Sequence, residues 1–525
     1  MRTGKIPTWA MSVVWIASIA LSVLVRGQGL SGTSYMWRPM HTELTSFWFE
    51  REGIDLLNYE TPLLGPPWTI PIEFPLFQAM TGVIYRAGLN DNELASRLSA
   101  LLCFYVSACF MFLVCRKIFT GRLVTFAAVN LYLWMPYNIY YSTESYIDFL
   151  SLAMTLAYLL FILLWLEAPS SLAWVIGAVI SGSLGVLVKP TTVPIVAIPI
   201  LVFVIEDLHA RYRQELRWPP DLPAILTRSW RLRWYWLALM CMAAIPAITG
   251  AAWTRHTDQL KDQSIQTQFL RSGELVTWYF GTWDLRGDPN MWLERGAAIQ
   301  KYFSPHGLTI FVVFGLLVAA SAIKTPGTER RACLFVMSIF TSMVLVLFIF
   351  LALYFVHDYY YMALSASMAI LGAFGLVSFW QVAPQHRRIL GLVLAIWAMF
   401  FIMGSIRDYN GFRALAAKES AGMARARSWA ASVQEVIPED SWIAVIEISW
   451  QPHVPYVLER KALIVSNKNH MLPLCPTLRD ERFGYVILSR LEDTYRPENE
   501  NRLKKVLECF ASYYEIMPDV YKVEH

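Results

Sequence analysis

Long apolar stretches separated by short polar breaks dominate the first 405 positions. A membrane-spanning helix needs about 20 mostly apolar residues, because the hydrocarbon is about 30 Å thick and every backbone polar group must be satisfied within the segment. That ruler predicts eleven spans, at 9–26, 98–115, 122–140, 149–166, 172–188, 191–206, 235–252, 307–323, 333–355, 361–380 and 389–405. Beyond 406 the pattern changes. Strand-like runs such as Ile443-Ala444-Val445-Ile446 and Tyr485-Val486-Ile487-Leu488 alternate with helix-like stretches from Arg413 to Val433 and from Asn501 to Phe510. The expected fold is a polytopic α-helical membrane protein with about 11 transmembrane helices and a small C-terminal α/β domain with its own core. Residues 1–405 form the membrane domain, including two long loops at 27–97 and 253–306, and residues 406–525 form the second domain.

Composition sharpens this reading. Hydrophobic residues make up 56% and charged residues 16% of the 525, with a mean hydropathy of +0.41, which excludes an ordinary water-soluble protein. A net charge of only +4 offers no field to hold a nucleic-acid backbone. The first span follows Arg2 and Lys5 and reads as a retained anchor, since no small-residue cleavage site precedes Tyr35-Met36-Trp37. Basic residues gather in alternate loops: Arg116, Lys117 and Arg122; Arg211, Arg213, Arg217, Arg228, Arg231 and Arg233; Lys324, Arg330 and Arg331; Arg387 and Arg388. Residues 141–148 carry none. The positive-inside rule then puts the amino terminus in the cytoplasm, and both long loops and the tail outside a cell membrane, the bacterial inner membrane being the expectation. Cys475 and Cys509, the cysteines in polar sequence, can pair if the tail is outside.

Candidate chemistry collects at the outer boundary. The loop 27–97 holds helix-like segments at 43–52 and 76–87, suited to lying along the membrane surface, with Glu43 and Glu73 where the chain enters them. Asp148 precedes an apolar span; it reads either as a helix-start acid favoured by the macrodipole or as a functional carboxylate. Lys189 interrupts an apolar run, and such an ammonium either snorkels to lipid phosphates or meets an anionic substrate. His357 and Asp358 lead a cluster whose Tyr360 and Tyr361 also suit a membrane belt, while Trp278 sits in an aromatic run that serves as a sugar platform or an interfacial anchor.

These features together resemble the C-type membrane glycosyltransferases, most closely the family 39 group related to protein mannosyltransferases and lipid A aminoarabinose transferases. The likeness rests on the first-loop acid, Glu73-Phe74-Pro75-Leu76, Ser96-Arg97-Leu98-Ser99, the acid ending a short second loop, Lys189-Pro190, and His357-Asp358-Tyr359-Tyr360, over about residues 1–405. The resemblance implies a polyprenyl-phosphate sugar as donor, a cavity opening to the outer leaflet, and a glycan, lipid or protein acceptor. It implies Glu43 as general base with Glu73 and Asp148 as further catalytic acids. Lys189, with Arg97 or His357, would balance charge on the leaving phosphate. Many relatives have an acid where this chain has His41, so either Glu43 or His41 is the base. Glu73 and Asp148 are also the candidate ligands of a divalent ion such as Mg or Mn. The alternative is a transporter or flippase of a lipid-linked or small solute. The spans are almost free of acids, whereas transporters tend to carry them near the midplane, so the enzyme reading is preferred.

Overall fold

The computed structural model describes residues 8–30, 36–89, 91–212, 230–303, 307–323, 328–382, 384–469, 471–490 and 497–525. The loop cations Arg2, Lys5, Arg213, Arg217, Arg228 and Lys324 lie outside them. Among the described residues seven helices are long and apolar enough to cross a membrane: Asn92–Ile118, Asp148–Glu167, Val193–Arg211, Arg233–Lys261, Glu329–Ile349, Asp358–Val382 and Arg388–Gln434. Pro289–Phe303 with Leu308–Ala322 makes an eighth if that bent pair is one span, and Ser12–Gly27 and Leu172–Val188 are shorter apolar helices. Two predicted spans are broken. The stretch 122–140 divides at Met135 into Arg122–Trp134 and Pro136–Tyr141, because Pro136 offers no N–H and forces the preceding residue out of the helical region. The stretch 333–355 divides at Phe350.

The bundle core is built on close contacts. Where Leu308–Ala322 meets Met362–Val382, a methyl on Gly375 would lie 1.8 Å from the Phe311 carbonyl oxygen, and one on Gly315 2.9 Å from the Gly375 Cα. Without a hydrophobic driving force between helices in lipid, such small-residue crossings let backbones approach and gain dispersion energy.

The eleventh predicted span and the helix-like segment 413–433 are one helix, Arg387–Gln434, of 48 residues. It delivers the chain to a five-stranded sheet, β1 (Trp442–Ile446), β2 (Ala462–Val465), β3 (Phe483–Leu488), β4 (Ser512–Met517) and β5 (Val520–Glu524), in the order β2-β1-β3-β5-β4. The strands β2, β1 and β3 run parallel; β5 is antiparallel to both β3 and β4. Alternation along β1 sends Ile443 and Val445 to one face and Ala444 and Ile446 to the other. The first face packs on Met423, Ala426, Ala430 and Val433 of the long helix and on Met40, Leu44 and Trp48 of the loop helix Trp37–Glu52. The second packs on Leu503, Val506 and Leu507, beside the Cys475–Cys509 disulfide that sequence proposed.

That core is therefore shared with the first loop. Residues 62–65 also lie along the free edge of β2: the amides of Ala462 and Ile464 donate to the Pro62 and Leu63 carbonyls at 3.2 and 2.9 Å, and the Gly65 amide donates to Ala462 at 3.3 Å. Covering an edge strand in this way satisfies groups that would otherwise template aggregation. Packing at the glycine crossing gives a test. Gly375→Ala should destabilise the folded chain by about 1–3 kcal/mol, the usual cost of overpacking. Gly411→Ala, whose added carbon meets nothing within 4 Å, should not. Thermal melts of the two variants in detergent compare them directly.

Candidate active site

The loop helix Trp37–Glu52 is polar in sequence yet buried along most of its length. It tolerates burial because its hydroxyls bond back to the preceding turn: Thr42, Thr45 and Ser46 donate to the carbonyls of Arg38, His41 and Thr42 at 3.0 to 3.2 Å. Three faces then diverge. Met40, Leu44 and Trp48 point into the sheet core, as above. Arg38 and His41 point toward Glu73, and Glu43 points elsewhere.

Glu73 is fixed by its own backbone. Its carbonyl accepts from the Tyr59 hydroxyl at 2.7 Å, and the next amide, Phe74, donates to Leu187 at the end of helix Leu172–Val188 at 3.1 Å. The Glu73 carboxylate meets Arg38 at 2.6 Å and accepts from the Gln78 amide at 3.0 Å. Burial, the largest single influence, would raise this carboxyl, but the charge and hydrogen bond of Arg38, with His41 and Gln78, together hold the group below its ordinary value.

Two residues beyond Leu187, Lys189 ends its helix before Pro190 and forms a buried ion pair with Asp148 in the first turn of Asp148–Glu167. The two helices are antiparallel neighbours, tied where the Ser151 hydroxyl meets the Gly185 and Lys189 carbonyls at 3.1 and 3.2 Å. The Lys189 ammonium also lies 4.0 Å from the Tyr360 ring centre and 4.7 Å from that of Tyr359. Arg38 and Glu73 act electrostatically on Asp148 and Lys189. The result is one cluster of two cations and two carboxylates, each carboxylate keeping one buried oxygen without a hydrogen-bond partner, Glu73 Oε2 and Asp148 Oδ2.

A cavity of about 600 Å³ opens beside this cluster. Arg38, Tyr359, His357, Asp358 and Trp278 line it, joined by Arg295 and by Ser449, Trp450 and Gln451 of the tail. The Trp278 ring packs against His357 at 5.5 Å. The Trp37 indole donates to the Trp450 carbonyl at 3.0 Å, and the His41 ring stacks on Trp37 at 5.2 Å. Neither His41 ring nitrogen has a hydrogen-bond partner. Burial and the Arg38 charge push this imidazole down to about 3, so it is neutral near pH 7.

Glu43 belongs to a different network. One of its oxygens accepts from Ser145, and its neighbours are Glu93, Arg97 and Glu144. Burial, then Glu93, drives this carboxyl well above its ordinary value against the pull of Arg97. Arg97 holds Glu144 by two bonds of 3.1 and 3.2 Å, and Arg427 and Tyr456 reach Glu93. Of the residues singled out in sequence, Glu73, Asp148, Lys189 and Tyr360 therefore lie together with His41 close by. His357, Asp358 and Trp278 lie on the cavity wall, and Glu43 and Arg97 lie in the second network. Sequence reasoning missed Arg38, one helical turn before His41, and the tail residue Trp450, which meets Trp37 across 413 positions of chain.

The donor set does not suit a divalent ion. Glu73 and Asp148 each already neutralise a cation, and among the described residues no group of three or more His, Cys, Asp or Glu side chains is arranged to hold a metal.

Comparison with known proteins agrees with this architecture. The family described as dolichyl-phosphate-mannose-protein mannosyltransferase matches residues 71–220, a segment that contains Glu73, Asp148 and Lys189. The structure of ArnT from Cupriavidus metallidurans in the apo state superposes with a TM-score of 0.60 at 14% identity, covering 98% of each chain. The same protein bound to undecaprenyl phosphate gives 0.60 at 14%, covering 97% of each. The archaeal oligosaccharyltransferase AglB from Archaeoglobus fulgidus, in complex with an inhibitory peptide and a dolichol-phosphate, gives 0.53 at 12%, over 98% of this chain and 74% of that one. No curated protein sequence matches at a significant level.

The His41 ring supplies a pH test. Between about 3 and 6.5 the unfolded chain binds a proton that the folded ring refuses. Folding stability should therefore fall as pH drops through that window, by up to about 1.4 kcal/mol per unit. His41→Gln removes this contribution, so melts at pH 7, 6 and 5 should slope less steeply in the variant than in the wild type. Identical slopes would show that the folded ring takes up protons freely.

Proposed function

Starting from a chain with the C-type, family 39-like membrane glycosyltransferase fold, we propose that it transfers a sugar from a polyprenyl-phosphate carrier to an acceptor hydroxyl. The interleaved Arg38–Glu73 and Lys189–Asp148 pairs beside the aromatic cavity are the observation that carries this reading. The acceptor oxygen bonds to the anomeric carbon as the bond from that carbon to the phosphate oxygen breaks. The lipid phosphate leaves with its negative charge, and the acceptor's proton passes to a carboxylate.

The chain's residues divide this work. Arg38 and Lys189 are cations fixed before substrate arrives, so they stabilise the departing phosphate without reorganising. Glu73 is ionised near neutral pH and keeps one oxygen free, which suits it to accept the proton. Asp148 orients Lys189. Trp278, His357 and the tail's Trp450 give the sugar aromatic walls to pack against. The acceptor is a glycan, lipid or protein that reaches this cavity. The extracytoplasmic side is supported by the distribution of basic loops and by the Cys475–Cys509 disulfide, which persists in oxidising compartments.

Glu43 has another place in this scheme. Its carboxyl is raised and already bonded to Ser145, so a neutral amide of the same shape should replace it. With the full chain in nanodiscs and a panel of synthetic undecaprenyl-phosphate sugars, release of undecaprenyl phosphate measures turnover. Glu73→Gln should lower it by about 100-fold or more, and Lys189→Ala by a similar factor, with Lys189→Arg partly active. Glu43→Gln should turn over near the wild-type rate. An inactive Glu43→Gln with an active Glu73→Gln would move the base to the second network, and a wild type inert toward every member of the panel would remove the transferase reading.

A further inference from the structure

The segment 276–303 belongs to the second long loop, yet it carries large apolar side chains that are mostly exposed. Val276 is 51% exposed, Trp283 78% and Leu293 71%. They sit on the short helices Val276–Phe280, Trp283–Gly287 and Pro289–Phe303. Isolated surface apolar residues need no explanation; a group held in one rigid place does.

The rigidity comes from Arg286. Its guanidinium donates to the Phe348 and Ile349 carbonyls at 3.0 and 2.8 Å, and to the Thr282 carbonyl at 3.0 Å and the Phe280 carbonyl. Phe348 and Ile349 end the helix Thr328–Ile349, whose last carbonyls have no partner within the helix because the chain breaks at Phe350. One arginine thus clips the short helices to the end of a membrane-spanning helix. Arg295 repeats the device one step on, donating to the Tyr354 carbonyl at 2.5 Å.

The level at which the clip holds them is set by that helix. Phe340, Val344 and Phe348 are spaced four apart and exposed, which makes one stripe along a helix apolar enough to cross a membrane. Trp292 stacks on Phe348 with ring centres 6.2 Å apart, and Trp283 lies 6.3 Å from the same ring. The exposed apolar side chains of the short helices thereby continue the stripe that faces lipid. Exposed acids, Asp284 and Glu294, sit beside them on the same helices, as on a helix that rests in the interface with one face in the acyl chains and the other in water.

We propose that residues 276–293 are a bilayer-inserted collar whose partner is the acyl-chain region of the surrounding lipid, docked through Val276, Trp283 and Leu293. The collar carries Trp278, and Arg295 follows it two residues on in the same helix as Leu293; both line the large cavity. The collar therefore holds that cavity at membrane depth, whichever chemistry the cavity serves.

Environment-sensitive labelling of the full chain tests this. Bimane is attached at Trp283→Cys or Leu293→Cys, with Cys109 and Cys241 replaced by serine and Lys468→Cys in the tail as the aqueous control. Each variant is reconstituted in phosphatidylcholine vesicles with or without acyl-chain nitroxide lipid, and a melt confirms folding. Positions 283 and 293 should lose about half or more of their fluorescence to the nitroxide lipid and resist aqueous iodide, as expected for side chains below the headgroups. The control should behave oppositely. Iodide quenching at 283 and 293 equal to that at 468, with no effect of the nitroxide lipid, would overturn the proposal.

Discussion

The pairing of Arg38 with Glu73, set against that of Lys189 with Asp148, is the constraint on which the rest of this structure turns. Four charges taken out of water are expensive, and an ion left without its partner in such a place costs about 3–5 kcal/mol. Arg38 comes from the first loop helix, Glu73 from the turn that leads into the helix Leu76–Ile84, Asp148 and Lys189 from the facing ends of two antiparallel helices. Each pair closes within its own unit, the loop or the bundle, and the electrostatic action of Arg38 and Glu73 on Asp148 and Lys189 links the two.

That arrangement explains why the first loop is so heavily buttressed. The helix Trp37–Glu52 gives one face to the charge cluster, one to the sheet core through Met40, Leu44 and Trp48, and a third to the Glu43 network. The tail is consequently a wall of the cavity, since the turn bearing Trp450 closes over Trp37 and His41. A sheet that packed on its own helices alone would leave Met40, Leu44 and Trp48 of this helix without the apolar partners they have in the sheet core.

Much was legible in the chain. Lys189 stood out because an ammonium in an apolar run needs an anion, and the anion is Asp148, which reads as an ordinary helix-start acid when met alone. Glu73 was visible as an acid between prolines, but its partner Arg38 looked like any loop arginine. Glu43 was the natural first candidate for a base, and nothing in spacing along one helix reveals that the tertiary packing turns its face to Ser145 and Arg97 instead. In the loop 253–306 only the aromatic run around Trp278 stands out in sequence, and the clip that Arg286 makes to the end of a distant helix has no sequence signature.

The amino-acid sequence by itself determined the medium, the presence of many long apolar segments, the alternating strands of the tail, and the residue types that carry chemistry. Those properties are local, set by length, period and the cost of burying a charge. Only the tertiary structure decided which charge meets which, that the sheet's core includes the first loop, and that Trp450 walls the cavity. Those contacts join residues tens to hundreds of positions apart, and their energies depend on burial that exists only once the chain has closed around them.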